Sequence, residues 1–580
     1  MLLLLVGALI FSLFWFLVGR VFLSAVGLRA EPDPDMIEAT ILTGAFVLAW
    51  FGQAVHFVWP LKSRESAIVL FGVFLALAVI RRRDVTWLSE RTSDLIRRRP
   101  RVVAAFAVVA VVIALSAARP CKIEDTESYH AQILRWTDAA RLVPGLALVH
   151  GRLAFNSLWF SLEALLSLTF LSNGPLPLVN TTVFLVGASY LYRQIVTNRP
   201  SRLLSNLAVG AFLPYVVVGF LYAGSQSPDL PALTFGLLCF FAVARSFELH
   251  DTAQQALAMC LVVAAACWKL STAPLLLFVP LLVWDRWVRA GVRFERSLVI
   301  VSLFLFVAGA MLIGRSVVLS GYPLYPSTAI DIFPVDWKAP WLAHGHEIGI
   351  RTFARGLRTQ HPTVALGYPA SYWVPIWIRN LNNTGRICVS LLAAGLTLFG
   401  FSFLRSSTRR WWVEGNRAAL VALSLVAVAS TAFWFWEAPD VRFGASYLSA
   451  LIAILYLPWL WPLTRGSTAW RLVASGVVVA AVGLVGENVL LASPLPPWCP
   501  AEYARAHPNR FYWLRPAPYP ESALVVERLR DGSINYVVAA SGGLVLAHYA
   551  PVPNSPLPIA GIAVRRGQRL SEGYRLDTDH

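Results

Sequence analysis

The chain is short of charge. Only 14% of its 580 residues are Asp, Glu, Lys or Arg, and 32 acidic residues face 49 basic ones. Acids are nearly missing from the interiors of the long apolar runs. That counts against a transporter or a flippase, which needs ionisable groups deep within its spans. Cysteine is sparse, at six residues. No Walker loop, Gly-rich dinucleotide fingerprint, His-Glu-x-x-His or Cys-x-x-Cys occurs, so a cytosolic nucleotide site is unsupported. There is no internal repeat and no low-complexity tract.

What is present is apolar. The sequence is 57% hydrophobic, with a mean hydropathy of +0.61, more than a water-soluble fold can bury. The net charge of +17 does not indicate nucleic acid as a partner, because the arginines cluster in short loops between apolar runs. That is the positive-inside pattern of a chain whose partner is a lipid bilayer.

Loop 81–101 holds eight arginines, and 192–202, 285–296, 405–417 and 465–471 hold others. Placing all of these inside predicts an all-α polytopic bundle of about 14 spans. Residues 1–28 lack the basic n-region of a signal peptide and read as a first span. The apolar stretch 155–172 cannot cross, since crossing would put 192–202 outside; it reads as an interfacial or re-entrant helix. Trp159 reads there as an interfacial anchor.

The chain divides into N-terminal spans and an Arg-rich loop (1–101), a core (102–314) with an acidic external loop (119–176), a long external loop (315–384), closing spans (385–493) and an external C-terminal domain (494–580). The last begins at Ser493-Pro494-Leu495-Pro496-Pro497 and alternates like strands over 533–540, which predicts a small α/β or β-rich unit. Cys239, Cys260, Cys267 and Cys388 lie in or beside spans and read as small buried hydrophobes. Cys121 and Cys499 are both external, so they are a candidate disulfide.

The densest chemistry follows the span 102–118. Glu124, Asp125 and Glu127 stand beside Tyr129 and His130, close to hydrocarbon, where charge is costly and usually functional. A carboxylate there can take a proton from an acceptor; Asp125 and Glu127 can instead hold a divalent metal. His150 and Arg152 follow the Pro144-Gly145 turn signal. Asp229 caps a helix or contacts a ligand, with capping the simpler role. Lys269 lies between two spans and requires an anionic partner, either a protein carboxylate or a lipid-linked phosphate. Arg315 and Arg442 suit phosphate because guanidinium binds it bidentately. Tyr322 and Tyr325 line a sugar site or sit at headgroup level. Asp440 and Arg442 form a structural pair, or Arg442 reaches the same phosphate as Arg315.

A family resemblance rests on these motifs in order: Asp125, Tyr129-His130, Trp136, Val143-Pro144-Gly145-Leu146, His150, Arg152, Phe155-Asn156-Ser157, Lys269-Leu270-Ser271, Ser320 to Pro326, Asp336-Trp337-Lys338 and Pro439 to Phe443. The chain resembles, over roughly 120–445, largely uncharacterised bacterial membrane proteins of the GT-C class of glycosyltransferases. The resemblance implies a GT-C-like bundle with external interfacial helices, in the bacterial inner membrane with its site on the outer side. It implies a polyprenyl-phosphate-linked sugar as donor, a glycan, lipid or protein as acceptor, and inversion at the anomeric carbon. The acidic residue of the first external loop is the base or a metal ligand in that class; the matching position is Asp125, with Glu124 and Glu127 as rivals and His130 assisting. Some relatives use a divalent cation (Mg or Mn) and some do not. The alternatives are an O-antigen polymerase or ligase, a lipid-linked glycan transporter or flippase, and a non-catalytic scaffold.

Overall fold

The computed structural model describes residues 1–28, 33–121, 123–172, 174–196, 201–290, 295–357, 362–404, 414, 416–463, 467–490, 514, 516–517, 524–528, 534–538, 551–552, 554–555, 562–564 and 570–576. Among them, twelve helices are long and apolar enough to cross a membrane. The chain is a multi-pass, all-α membrane bundle. Two further segments read as spans in the sequence fall short of that criterion: Thr252–Trp268 is only 17 residues long, and Leu178–Val196 is diluted by Asn180, Thr181, Thr182, Arg193 and Gln194.

Asp229–Leu249 runs through the centre, with 94% of its apolar window buried. Val441–Leu460 and Arg202–Tyr222 pack against it and each other, both 83% buried. Ser63–Ile80, at 11%, turns most of its surface outward, as a lipid-facing helix should. Several helices start at side-chain caps. Ser201 accepts from Leu204 N, Asp251 from Gln254 N and Asn416 from Ala419 N. Each satisfies an amide that the first turn leaves unpaired.

The segment 155–172 does not cross. It forms one eight-residue helix, Trp159–Leu166, flanked by short turns. All eight residues are buried, against Ile37–His56 and its neighbours. The helix is therefore enclosed by protein rather than interfacial, which is how short helical pieces are tolerated at membrane depth. Trp159 is correspondingly no headgroup anchor: it is fully buried, edge-on to Trp268 at 5.2 Å.

The segments expected on one side meet at one end. Arg99 donates to Val196 O at 3.1 Å, Arg202 pairs with Glu414 at 3.0 Å, and Asp35 pairs with Arg193 and Arg245. At the opposite end the segment after Ser320 carries the helices Pro340–Ala354 and Ala370–Asn380. In the C-terminal region, Leu524–Arg528 and Ile534–Val538 pair antiparallel, and Ile562–Val564 pairs with Tyr574–Leu576. Tyr574 N donates to Pro144 O at 3.0 Å, beside Gly145. Gly145 takes a left-handed conformation (φ +70), and a Cβ there would lie 2.6 Å from Tyr574 O, so only glycine fits.

Candidate functional site

Asp125 stands where the chain leaves the helix Pro100–Ala117, just before a π-helical turn, Thr126–His130. Such turns favour functional sites because one extra residue re-aims the side chains. The turn buries Glu127, Tyr129 and His130 and leaves the Asp125 side chain 20% exposed. Thr126 Oγ1 and His130 Nδ1 are hydrogen-bonded at 3.1 Å.

Two arginines from distant parts of the chain grip Asp125. Arg152, from the turn Gly151–Ala154, donates to Oδ1 at 3.3 Å. Arg442, from the first turn of Val441–Leu460, donates to Oδ2 at 2.6 Å. Arg442 is itself oriented by Asp440, which caps that helix by accepting from Arg442 N at 3.1 Å and pairs with Arg442 Nε at 3.2 Å. The loop carrying both is pinned by two indoles: Trp434 Nε1 donates to Asp440 O at 2.7 Å and Trp377 Nε1 to Pro439 O at 2.6 Å.

Lys269 ion-pairs with Asp229, and Ser227 Oγ donates to the other Asp229 oxygen at 2.8 Å. The partner that Lys269 requires is thus a protein carboxylate. Asp229 makes no side-chain cap on the helix that it begins, so its role as a simple cap does not hold. The two ion pairs adjoin: the Phe443 ring lies 4.3 Å from Lys269 Nζ and 4.8 Å from the Arg442 guanidinium.

Burial alone would raise the Asp125 carboxyl, but Arg442, His130 and Arg152 outweigh it and hold it at about 2. Burial pushes His130 down to about 4 against the pull of Asp125 and Asp229. The same cause, helped by Arg152, lowers His150 to about 3 and His346 to about 4. In the free protein the site therefore holds an ionised Asp125 and neutral histidines at pH 7.

Other expected residues fall elsewhere. Glu124 is exposed, while Glu127 is buried under the turn. Arg315 does not join Asp125: it is buried in Arg296–Ser320, donates to Ser161 Oγ at 2.9 Å and acts electrostatically on His56. Tyr322 is buried, with Lys338 over its ring. Tyr325 and Phe155 lie 5.9 Å apart with their rings tilted, beside His346 on the Arg152 side. Cys121 is a free thiol; Cys499, its expected partner, lies outside the described residues. Among the described residues no group of three or more His, Cys, Asp or Glu could hold a metal ion, and both Asp125 oxygens are taken by guanidinium. The donor set does not fit a divalent cation.

Several residues here have no sequence signature. Tyr222 ends an apolar helix yet feels Asp229, Arg442, Asp440 and Asp125. Phe353, 5.6 Å from the Arg442 guanidinium, and His346 come from the long loop. Only the Trp377-x-x-Asn380 spacing before Asn382 hints at a polar edge on an amphipathic helix.

No curated protein and no solved structure matches the chain. Residues 1–449 match the model of a family described as a domain of unknown function, DUF8201; that span holds the whole Asp125 cluster, and the chain belongs to this family.

Proposed function

We propose that the protein is an inverting membrane glycosyltransferase that uses a polyprenyl-phosphate-linked sugar at the outer face of the bacterial inner membrane. The observation that carries this reading is the meeting of Asp125 with Arg152 and Arg442, with the Lys269–Asp229 pair alongside. A carboxylate held between two guanidinium groups, with a neutralised lysine–aspartate pair alongside, suits displacement of a phosphate by a hydroxyl or amine.

The acceptor oxygen or nitrogen bonds to the anomeric carbon while its proton passes to Asp125. The bond from that carbon to the phosphate oxygen breaks, and the leaving phosphate keeps the electron pair. Arg152 and Arg442 stabilise its charge, since preorganised donors aimed at a departing anion are worth several kcal/mol, roughly 3–4 for one donor elsewhere. In the free protein Asp125 occupies both arginines. A bound phosphate competes for them, and as they turn to it Asp125 loses the charges that hold its pKa down and becomes a better base.

The test is transfer from synthetic polyprenyl-phosphate sugars by the full-length protein in nanodiscs. Asp125→Asn is expected to lower kcat by about 10²–10⁴-fold, the usual share of general base catalysis. Full activity of that variant, or no turnover of any donor by the wild type, overturns the reading. The histidines around Arg152 favour a second reading, an O-antigen polymerase or ligase-like enzyme. A variant set in which Arg152→Ala is dead and Asp125→Asn is active would select it.

A further inference from the structure

A cleft of about 120 Å³ opens beside the Asp125 cluster and shares Asp440 and Arg442 with it. Its walls come from four separate helices: Tyr222 at the end of Arg202–Tyr222, Phe353 from Pro340–Ala354, Trp377 and Asn380 from Ala370–Asn380, and Asn382 and Thr384 at the start of Asn383–Ser402. A whole benzene takes a closed cavity of about 150 Å³, so this open cleft encloses part of one ring and leaves the rest in solvent. The lining is mainly polar, with Tyr222, Phe353 and Trp377 as its aromatic members.

The polar groups are only partly spent on the fold. Asn380 uses its NH₂ on Gly356 O at 3.1 Å. Asn382 uses its oxygen to cap the next helix, accepting from Gly385 N at 2.7 Å. An amide carries both an acceptor and donors, so the Asn380 oxygen and the Asn382 NH₂ are left for a ligand. Both asparagines are exposed and Thr384 is partly so. The cleft is fixed in shape: Trp377 is tied to Pro439, Arg351 pairs with Glu437 at 2.7 Å, and Arg355 donates to Trp436 O at 3.0 Å.

We propose that this cleft is a monosaccharide subsite: the aromatic rings take the C–H face of a single pyranose or furanose, Asn380, Asn382 and Thr384 bind its hydroxyls, and the shared Arg442 and Asp440 set it against Asp125. A neutral cyclic polyol fits because the cleft pairs rings with amides, while its charged groups, Asp440 and Arg442, satisfy each other. This rests on the transferase reading for its place in a reaction, though not for binding itself. The ring is supplied by either the acceptor or the lipid-linked donor.

The probes are methyl glycosides of common hexoses and pentoses, followed by saturation-transfer NMR on the full-length protein in nanodiscs. The variant pair is Asn382→Asp with Thr384→Val. Asp caps a helix as Asn does and Val matches Thr in shape, so the fold is kept while the ligand-facing NH₂ and hydroxyl are removed. At least one glycoside is expected to bind saturably at millimolar concentration and to bind the double variant at least ten-fold more weakly, with an unchanged melting temperature. In transfer kinetics, a ten-fold rise in KM for the acceptor or for the donor identifies which one supplies the ring. Absence of saturable binding by any glycoside, or equal binding by the variant, overturns the subsite. Variant-sensitive binding without donor consumption overturns the transferase and leaves the subsite. Donor consumption at equal KM by both proteins, without binding, does the reverse.

Discussion

Asp125 is ionised in the free protein because two guanidinium groups hold it, not because water reaches it. A lysine cannot replace what Arg442 does. Its planar fork contacts Asp125 through Nη1 and Asp440 through Nε at once, whereas an ammonium is a single point charge. Arg442→Lys is therefore expected to keep a folded protein and lower kcat/KM for the lipid-phosphate donor at least ten-fold, measured by initial rates beside a melting curve. The histidines govern acid behaviour. His130, His150 and His346 are depressed to about 4, 3 and 4, so the unfolded chain takes up protons first as pH falls below about 6.5. Stability is then full above that value and falls towards pH 4. Melting curves at pH 7.5 and 4.5 should show a large drop for the wild type and a smaller one for His346→Gln. An equal drop in both would rule out His346 as a contributor.

At the scale of elements, the first two helices are fitted backbone to backbone. A Cβ on Gly44 would lie 1.9 Å from Trp15 O, and one on Gly19 2.2 Å from Thr40 O. Small residues let helices approach this closely in a membrane, where packing rather than hydrophobic exclusion drives association. Gly44→Leu should force Leu2–Ala25 away from Ile37–His56 at a cost of about 1–3 kcal/mol, the usual range for overpacking. A lowered melting temperature checks it. The π-helical turn at 126–130 and the buried helix Trp159–Leu166 are less legible in sequence. Both depend on neighbours: the first on the residues that converge around His130, the second on the enclosing bundle. Hydropathy could show only that 155–172 does not cross.

At the scale of the whole molecule, the two sets of helix ends segregate. The Arg-rich segments meet each other through Arg99, Arg193, Arg202 and Arg245, and Asp125, Arg152, Asp229, Lys269 and Arg442 meet at the other end. If the positive-inside pattern holds, the first set faces the cytoplasm. In spheroplasts, with the six native cysteines replaced by serine or alanine, a membrane-impermeant thiol reagent should label Glu124→Cys and leave Arg91→Cys unlabelled until the membrane is opened. The reverse pattern would invert the topology.

Hydrophobic length and arginine placement alone determined that this chain is a many-spanning helical bundle, because a bilayer imposes both constraints locally, residue by residue. The sequence also put Asp125, Arg152, Lys269 and Arg442 among its candidates, with Glu124, Glu127 and Arg315 beside them, since charge next to hydrocarbon needs a reason. Only the tertiary structure decided how they pair. Arg315, which reads as well as Arg442 in a linear scan, turns inward to Ser161; Asp229, which reads as a cap, neutralises Lys269; and the cleft of Tyr222, Phe353 and Trp377 comes from three distant apolar segments. An ion pair needs its groups within a few ångströms of each other, and low dielectric strengthens the pair once formed, so which groups meet depends on helix packing that no local stretch of sequence records.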